Sequence, residues 1–400
     1  MKGFVDISSP QVRTLLFARL IRGVADGMMV VGIPLHFAAV GFSVSQVGVL
    51  STAFQVGTII ALLWAGRLSA GRGPGLSLIL CSGLMLAAAL GFLVTRDFSL
   101  VLFFALLGAV NPAAIDATVF RPLEQGALMQ ASRPADHPAL VATHSFLGQL
   151  AGALGALLVS APPLLRQHGI DVPDTVVFVL VALAALPMAL LYRRLVAATP
   201  PPIPAPETTT VSPRPRSNRL RLLLGLFSID AFAGGFFTNT LLLVWMHARF
   251  DLPDGILGVL FSVIAVCTAL AQFLSIPLVR RVGLVWGIIL PNASSSVLLI
   301  VLALAPTYEV ALAAFFVRTV LSVLDVPARS AFVVANDEPN RFAFSLSATN
   351  VVMAVSSALG SLVAAAVFSW SLFGWPLIIG ACIRFVYVGL LYWFNRRGDL

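Results

Sequence analysis

Between Arg193 and Arg221 the chain reads RRLVAATPPPIPAPETTTVSPRPRSNRLR, the one long polar stretch in an otherwise apolar sequence. It contains Pro200-Pro201-Pro202 and Thr208-Thr209-Thr210, with arginines at both ends. Proline at this density keeps a backbone extended and solvated, and it cannot continue a helix. The stretch therefore reads as an exposed connector. Its flanks are apolar runs of about 20 residues each, punctuated by Gly, Pro and a few charges, which is the length a helix needs to cross a bilayer. The division is into residues 1–193, a connector over 194–220, and residues 221–400.

Composition supports that reading. Of 400 residues, 59% are hydrophobic and 10% charged, and the mean hydropathy is +0.97. A soluble domain is about 25% charged, so this chain could not cover itself with polar surface. It is expected in a lipid bilayer, as helices rather than a barrel. The opening MKGFVDISSPQVRTLLFARL lacks the cleavage pattern of a signal peptide. Its apolar run carries Arg19, Arg22 and Asp26 and reads as a retained first span.

The formal charge of +8 comes from arginines scattered at span ends, which excludes a nucleic-acid face and fits a positive-inside bias. Cys81, Cys267 and Cys382 lie far apart in apolar runs, without the spacing of disulfides or metal ligands. No phosphate-binding Gly-x-x-x-x-Gly-Lys, metal motif or catalytic domain is visible. Neither enzyme activity, nor a cofactor, nor a metal is expected.

Spans are predicted at about 14–39, 46–68, 75–95, 98–120, 139–161 and 175–193, then 221–247, 255–279, 284–305, 309–333, 343–368 and 375–394. With the N-terminus in the cytoplasm, the inner loops hold Lys2, Arg13, Arg72, Arg133, the connector arginines, Arg280, Arg281, Arg341, Arg396 and Arg397. The outer loops hold Arg96, Arg166 and Arg249. That asymmetry predicts cytoplasmic termini and a cytoplasmic connector. Trp245, Trp370, Trp375 and Trp393 fall near span ends and read as interfacial anchors.

The halves repeat each other. Gln46-Val47-Gly48-Val49-Leu50 opens the second span and Ile256-Leu257-Gly258-Val259-Leu260 the eighth. At the same offset Leu68 meets Leu278, and Gly73 meets Gly283. A parallel repeat of six helices is one architecture of secondary transporters.

The span count, duplicated halves and polar middle loop resemble the major facilitator superfamily over essentially the whole chain. Between the second and third spans that family carries a Gly-x-Leu-Ala-Asp-Arg-x-Gly-Arg-Arg turn. Here the stretch is Gly66-Arg67-Leu68-Ser69-Ala70-Gly71-Arg72-Gly73-Pro74-Gly75, which keeps the glycines and leucine and loses the acid at Ala70. The second copy, Leu278 to Gly283, keeps its arginines and also lacks the acid. Three further stretches look like a bacterial subgroup of that superfamily. They are Asn111-Pro112 through Asp116 with Phe120-Arg121-Pro122-Leu123-Glu124-Gln125, Leu324-Asp325-Val326-Pro327-Ala328-Arg329, and Asp230 to Phe236. The resemblance implies an all-α integral membrane fold of twelve transmembrane helices in two pseudo-symmetric six-helix bundles, in a bacterial inner membrane.

A charge facing lipid is costly, so ionisable residues inside spans are the functional candidates. Arg22 and Asp26 are one turn apart and can pair. Asp230 has no opposite charge one turn away, and burial disfavours the charged form of an unpartnered carboxylate, which would suit a proton carrier; the alternative is a structural hydrogen bond to a neighbouring helix. Arg318, near the middle of its span, is the best candidate to meet an anionic group. Asp325, His144, Gln149, Asn239 and Asn350 complete the candidates for a substrate or proton pathway. Asp116, Arg121, Glu124, Arg329, Arg72 and Arg281 fall toward cytoplasmic ends and read as gate residues. Gly148, Gly152 and Gly155 put small residues on one face of the fifth span, permitting close helix packing.

The expected function is secondary active transport of a small organic molecule by alternating access, with protons as the coupling ion and export as the direction. The expected state is a monomer in the lipid bilayer. Uptake of an organic anion or nutrient, by symport or uniport, is the rival within transport. A non-transporting receptor or assembly factor on the same fold is the rival outside it.

Overall fold

The computed structural model describes residues 9–112, 118–133, 137–167, 169, 172–198, 218–250, 254–325, 328–329, 332, 342–370 and 373–397. Of the connector read over 194–220, residues 199–217 lie outside them, as does Asp116, while 194–198 and 218–220 are helical. The described elements are helices α1 (Pro10–Val40), α2 (Val44–Arg72), α3 (Pro74–Val94), α4 (Phe98–Leu106), α5 (Phe120–Gln130), α6 (His137–Leu158), α7 (Ala161–Gln167) and α8 (Val176–Ala198). There follow α9 (Asn218–Gly235), α10 (Asn239–Phe250), α11 (Asp254–Val282), α12 (Leu284–Leu304), α13 (Tyr308–Ser322), α14 (Phe342–Phe368) and α15 (Trp375–Arg397). Among the described residues nine segments are long and apolar enough to cross a membrane.

Local chemistry sets the ends. Pro10 starts α1, where its missing N–H costs nothing, and Gly41 ends it in the left-handed region at φ 94°. Ser43 and Gln46 form a reciprocal capping box at α2: the Gln46 N–H donates to the Ser43 hydroxyl, and the Ser43 N–H donates to the Gln46 side chain. Asp97 caps α4 by accepting from the Leu100 N–H at 3.1 Å. The repeat shows in the backbone as well. Gly73 (φ 79°, ψ 163°) precedes α3 and Gly283 (φ 84°, ψ 168°) precedes α12, a conformation essentially reserved for glycine. These are the two glycines aligned by the sequence offset.

Two expected spans are interrupted. Helix stops at Leu106, and residues 107–112 and 118–119 are not helical, where the sequence predicted continuity over 98–120. Gly108 has φ 76° and its backbone lies so close to Gly57 of α2 that no Cβ would fit. The Asn111-Pro112 pair follows. The seventh span breaks between α9 and α10, after the Gly234-Gly235 pair.

By contacts the chain falls into two compact units. One comprises Met1–Gly41, Ala53–Thr210 and Asp254–Ala265; the other comprises Phe42–Thr52, Val211–Pro253 and Val266–Leu400. In the first, α1 packs on α6 and α8, and α3 packs on α8. The α1–α6 seam is glycine-lined: Gly23 lies against Gly148 and Ala151, Gly27 against Gly152, and Gly155 against Val24. The small-residue face read from the fifth span is therefore a helix contact.

In the second unit α9 packs on α14 and α15, and α12 packs on α13 and α15. Gly235 and Gly360 bring α9 and α14 together in the same manner. Leu223, Phe227, Ile288, Tyr387 and Leu391 build the core there. Many large apolar side chains point outward, among them Phe17, Val94, Leu183 and Leu190, as lipid contact requires. Trp370, Trp375 and Trp393 are exposed. Trp245 is fully buried, edge-on to the Phe250 ring, and is no anchor.

Candidate functional site

The charges of the apolar spans gather into two buried networks, one in each unit. In the first, Arg22 of α1 is the hub. Its Nη1 donates to Asp26 Oδ2 at 2.7 Å and to Thr118 Oγ1 at 3.0 Å. Its Nε and Nη2 donate to the two oxygens of Glu124 at 3.2 and 2.8 Å, a bidentate pairing. Glu124, on α5, also meets His144 Nε2 at 2.7 Å and accepts from the Tyr192 hydroxyl of α8. Arg22, Glu124 and His144 have no exposed surface, and Asp26 retains 8%. Burying this many charges is tolerated only because each is paired and hydrogen-bonded.

Arg19 completes the network. It lies one turn before Arg22 and is also fully buried. Its Nε donates to the His144 carbonyl at 3.2 Å, and its Nη1 reaches Asp26 at 3.5 Å. The guanidinium fills the space where a Cβ on Gly148 would stand, so the glycine of α6 makes room for the charge as well as for α1.

In the second unit Asp230 finds its partners outside its own helix. It accepts from Arg384 Nε of α15 at 2.9 Å and pairs with Arg329 at 2.8 Å. Arg329 also pairs with Asp325, one turn away, and Asp325 accepts from Asn292 Nδ2 of α12 at 2.9 Å. Phe237, in the break between α9 and α10, lies under two cations: Arg318 at 4.6 Å and Arg384 at 4.8 Å. Arg318 is 6% exposed, and its Nε has no hydrogen-bond partner among the described residues.

Of the pathway candidates, Arg22, Asp26 and His144 are brought together, with the expected gate residue Glu124 among them. Asp230, Asp325 and Arg329 form the second group. Gln149 and Asn239 are half-buried and stand outside both, Arg121 is half-buried, and Arg281 is exposed. The side chains of Arg72 and Asn350 lie outside the described residues. Sequence reasoning missed Tyr192, Asn292 and Arg384 and undervalued Arg19. An arginine inside the apolar run Trp375–Arg397 was the available signal for Arg384, because the cost of burying it demands a partner elsewhere. The described residues hold no cluster of His, Cys, Asp or Glu suited to a metal ion.

No protein-family model matches the chain. An uncharacterized membrane protein of Saccharomyces cerevisiae is 22% identical over 335 residues, covering 75% of each chain. Among solved structures, the nucleoside transporter NupG superposes with a TM-score of 0.72 at 13% identity, covering 96% of this chain and 98% of that one. The inward-open xylose transporter XylE from E. coli gives 0.71 at 13% identity, covering 95% and 96%. The human organic anion transporter MFSD10 gives 0.65 at 15% identity, covering 96% and 99%. These likenesses establish the fold: an all-helical integral membrane chain with the architecture of the major facilitator transporters.

Proposed function

We propose that the chain is a secondary active transporter that moves a small organic molecule by alternating access and exchanges it for protons. The observation that carries this is the buried network on Arg22. Ionisable side chains inside a membrane bundle are costly and mark substrate or proton pathways, and five of them gather here. The structural neighbours named for nucleoside, xylose and organic anion transport make the same reading reasonable for this chain.

In the proposed cycle Asp26 is the proton carrier. It is the acid of the first network that keeps some exposure, and it pairs with Arg22 at 2.7 Å and with Arg19 at 3.5 Å. Unprotonated, Asp26 shares the Arg22 guanidinium with Glu124, each through different nitrogens. A proton on Asp26 removes its ion pair with Arg22 and leaves that guanidinium to Glu124, so the charge balance of the network follows protonation. We take export as the direction, two six-helix bundles (1–193 and 221–400) joined by the connector over 194–220 as the moving parts, and cytoplasmic termini as the topology.

The test is purified protein in proteoliposomes with an internal pH dye, challenged with pooled amphipathic compounds under a proton gradient. Compound-dependent proton movement is expected, and Asp26→Asn should abolish it while leaving a monodisperse, folded protein. Full coupling in that variant removes Asp26 from the role. Silence across broad compound sets favours the non-transporting reading.

A further inference from the structure

The second unit carries one more buried cation than its described acids can neutralise. Arg329 is shared by Asp230 and Asp325, and Arg384 is held by Asp230. Asp325 takes its remaining described partner from the neutral amide of Asn292. Arg318 has no carboxylate among the described residues and no partner for its Nε; its one described neighbour of opposite character is the Phe237 ring. An aromatic face offsets only part of the cost of a desolvated guanidinium. Arg384 stands over the same ring, so two like charges share one small region. Gly234, with only the Arg384 Nη2 within van der Waals reach of a Cβ, leaves that guanidinium uncrowded on one side.

The backbone adds to this. Phe237 sits where the seventh span is unwound, and the next helix starts at Asn239. Interrupted membrane helices present the positive end of the second half-helix, which favours negative charge. A guanidinium with no carboxylate among the described residues, a second one over the same ring, an aromatic platform and a helix break coincide. Among the described residues Arg318 has no anion beside it.

We propose that Arg318, with Arg384 beside it and Phe237 as platform, binds the carboxylate of an amphipathic organic anion. This rests on the transporter reading, since the carboxylate would be part of the cargo and the cycle would open the way to it. The fork of a guanidinium suits the two oxygens of a carboxylate, and a flanking ring suits an apolar body attached to it. Asp230 keeps Arg384 oriented through Nε, with its guanidinium 4.8 Å from the Phe237 ring centre. The site spends stability to gain this binding: without its ligand, Arg318 is a buried charge that a methionine of similar length would not impose.

The experiment uses full-length protein in detergent micelles, with salicylate as the anionic probe and salicylamide as its uncharged counterpart. Thermal unfolding is followed over a concentration series. The wild type should be stabilised by salicylate and not by salicylamide. Arg318→Met should unfold at a higher temperature than the wild type without ligand, yet lose the salicylate response. Arg318→Lys should fold and bind at least about tenfold more weakly, the scale of losing one charge-assisted hydrogen bond.

An equal response to both probes, no response to salicylate, or a full response in Arg318→Met overturns the proposal. If Arg318→Met does not fold, the lysine variant and the probe pair decide the question alone. The outcome is separable from transport. Salicylate binding without flux in proteoliposomes leaves the anion site standing and removes the transporter reading; proton-linked flux of uncharged compounds without salicylate binding does the reverse.

Discussion

Asp230 illustrates how a single residue's environment is set by helices far away in sequence. Its own helix offers no counter-charge one turn away, yet Arg384 lies 154 positions along the chain and meets it at 2.9 Å. Removing either partner of such a pair leaves an uncompensated buried charge, whereas removing both does not. Asp230→Asn and Arg384→Gln should therefore each lower the unfolding midpoint in detergent, and the double variant should fall by less than their sum. A coupling of about 0.5–3 kcal/mol is expected. Additive losses would show that Asp230 relies on Arg329 alone. The same reasoning explains why Glu124, with Arg22, His144 and Tyr192 around it, is tolerated with no exposure at all.

At the scale of elements, the seams between helices are set by where glycine permits contact and where it is merely present. A methyl on Gly27 would run into the backbone of Gly152, and neither α1 nor α6 can give way without opening the seam that holds Arg19. Gly83 of α3 has open space around it. Gly27→Ala should destabilise the protein by about 1–3 kcal/mol through overpacking. Gly83→Ala should be neutral or gain up to about 1 kcal/mol from helix propensity. Unfolding midpoints of the two variants check this, and equal behaviour would mean that the α1–α6 seam is looser than its geometry. The broken fourth and seventh spans belong to this scale too. Both interruptions fall beside glycines, and the second places Phe237 beneath two guanidiniums.

For the molecule as a whole, the polar connector is the feature most visible in the sequence and the one on which the proposed cycle depends least. Replacing Pro200 to Pro206 by a Gly/Ser segment of equal length should leave transport within about twofold, because the free energy of closing a loop changes slowly with its character. A larger loss, measured as flux in proteoliposomes, would show that these prolines do more than connect. The proposed carrier and the proposed anion site lie in different units, so proton coupling and cargo binding are expected to be separable by mutation: Asp26→Asn should spare salicylate binding.

Composition and periodicity alone determined that this is a polytopic helical membrane chain with a repeated half, because a bilayer punishes every unsatisfied backbone group and leaves few other solutions. They also singled out Arg22, Asp26, Asp230, Arg318 and Asp325, since a charge inside an apolar run needs a reason to be there. Partnership was beyond their reach. The pairing of Arg22 with Glu124 spans 102 positions, and that of Asp230 with Arg384 spans 154. No local spacing encodes which helices become neighbours. The tertiary structure decided that Asp230 is neutralised and that Arg318 has no carboxylate among the described residues, because the balance of buried charge is a property of packed helices and not of any one of them.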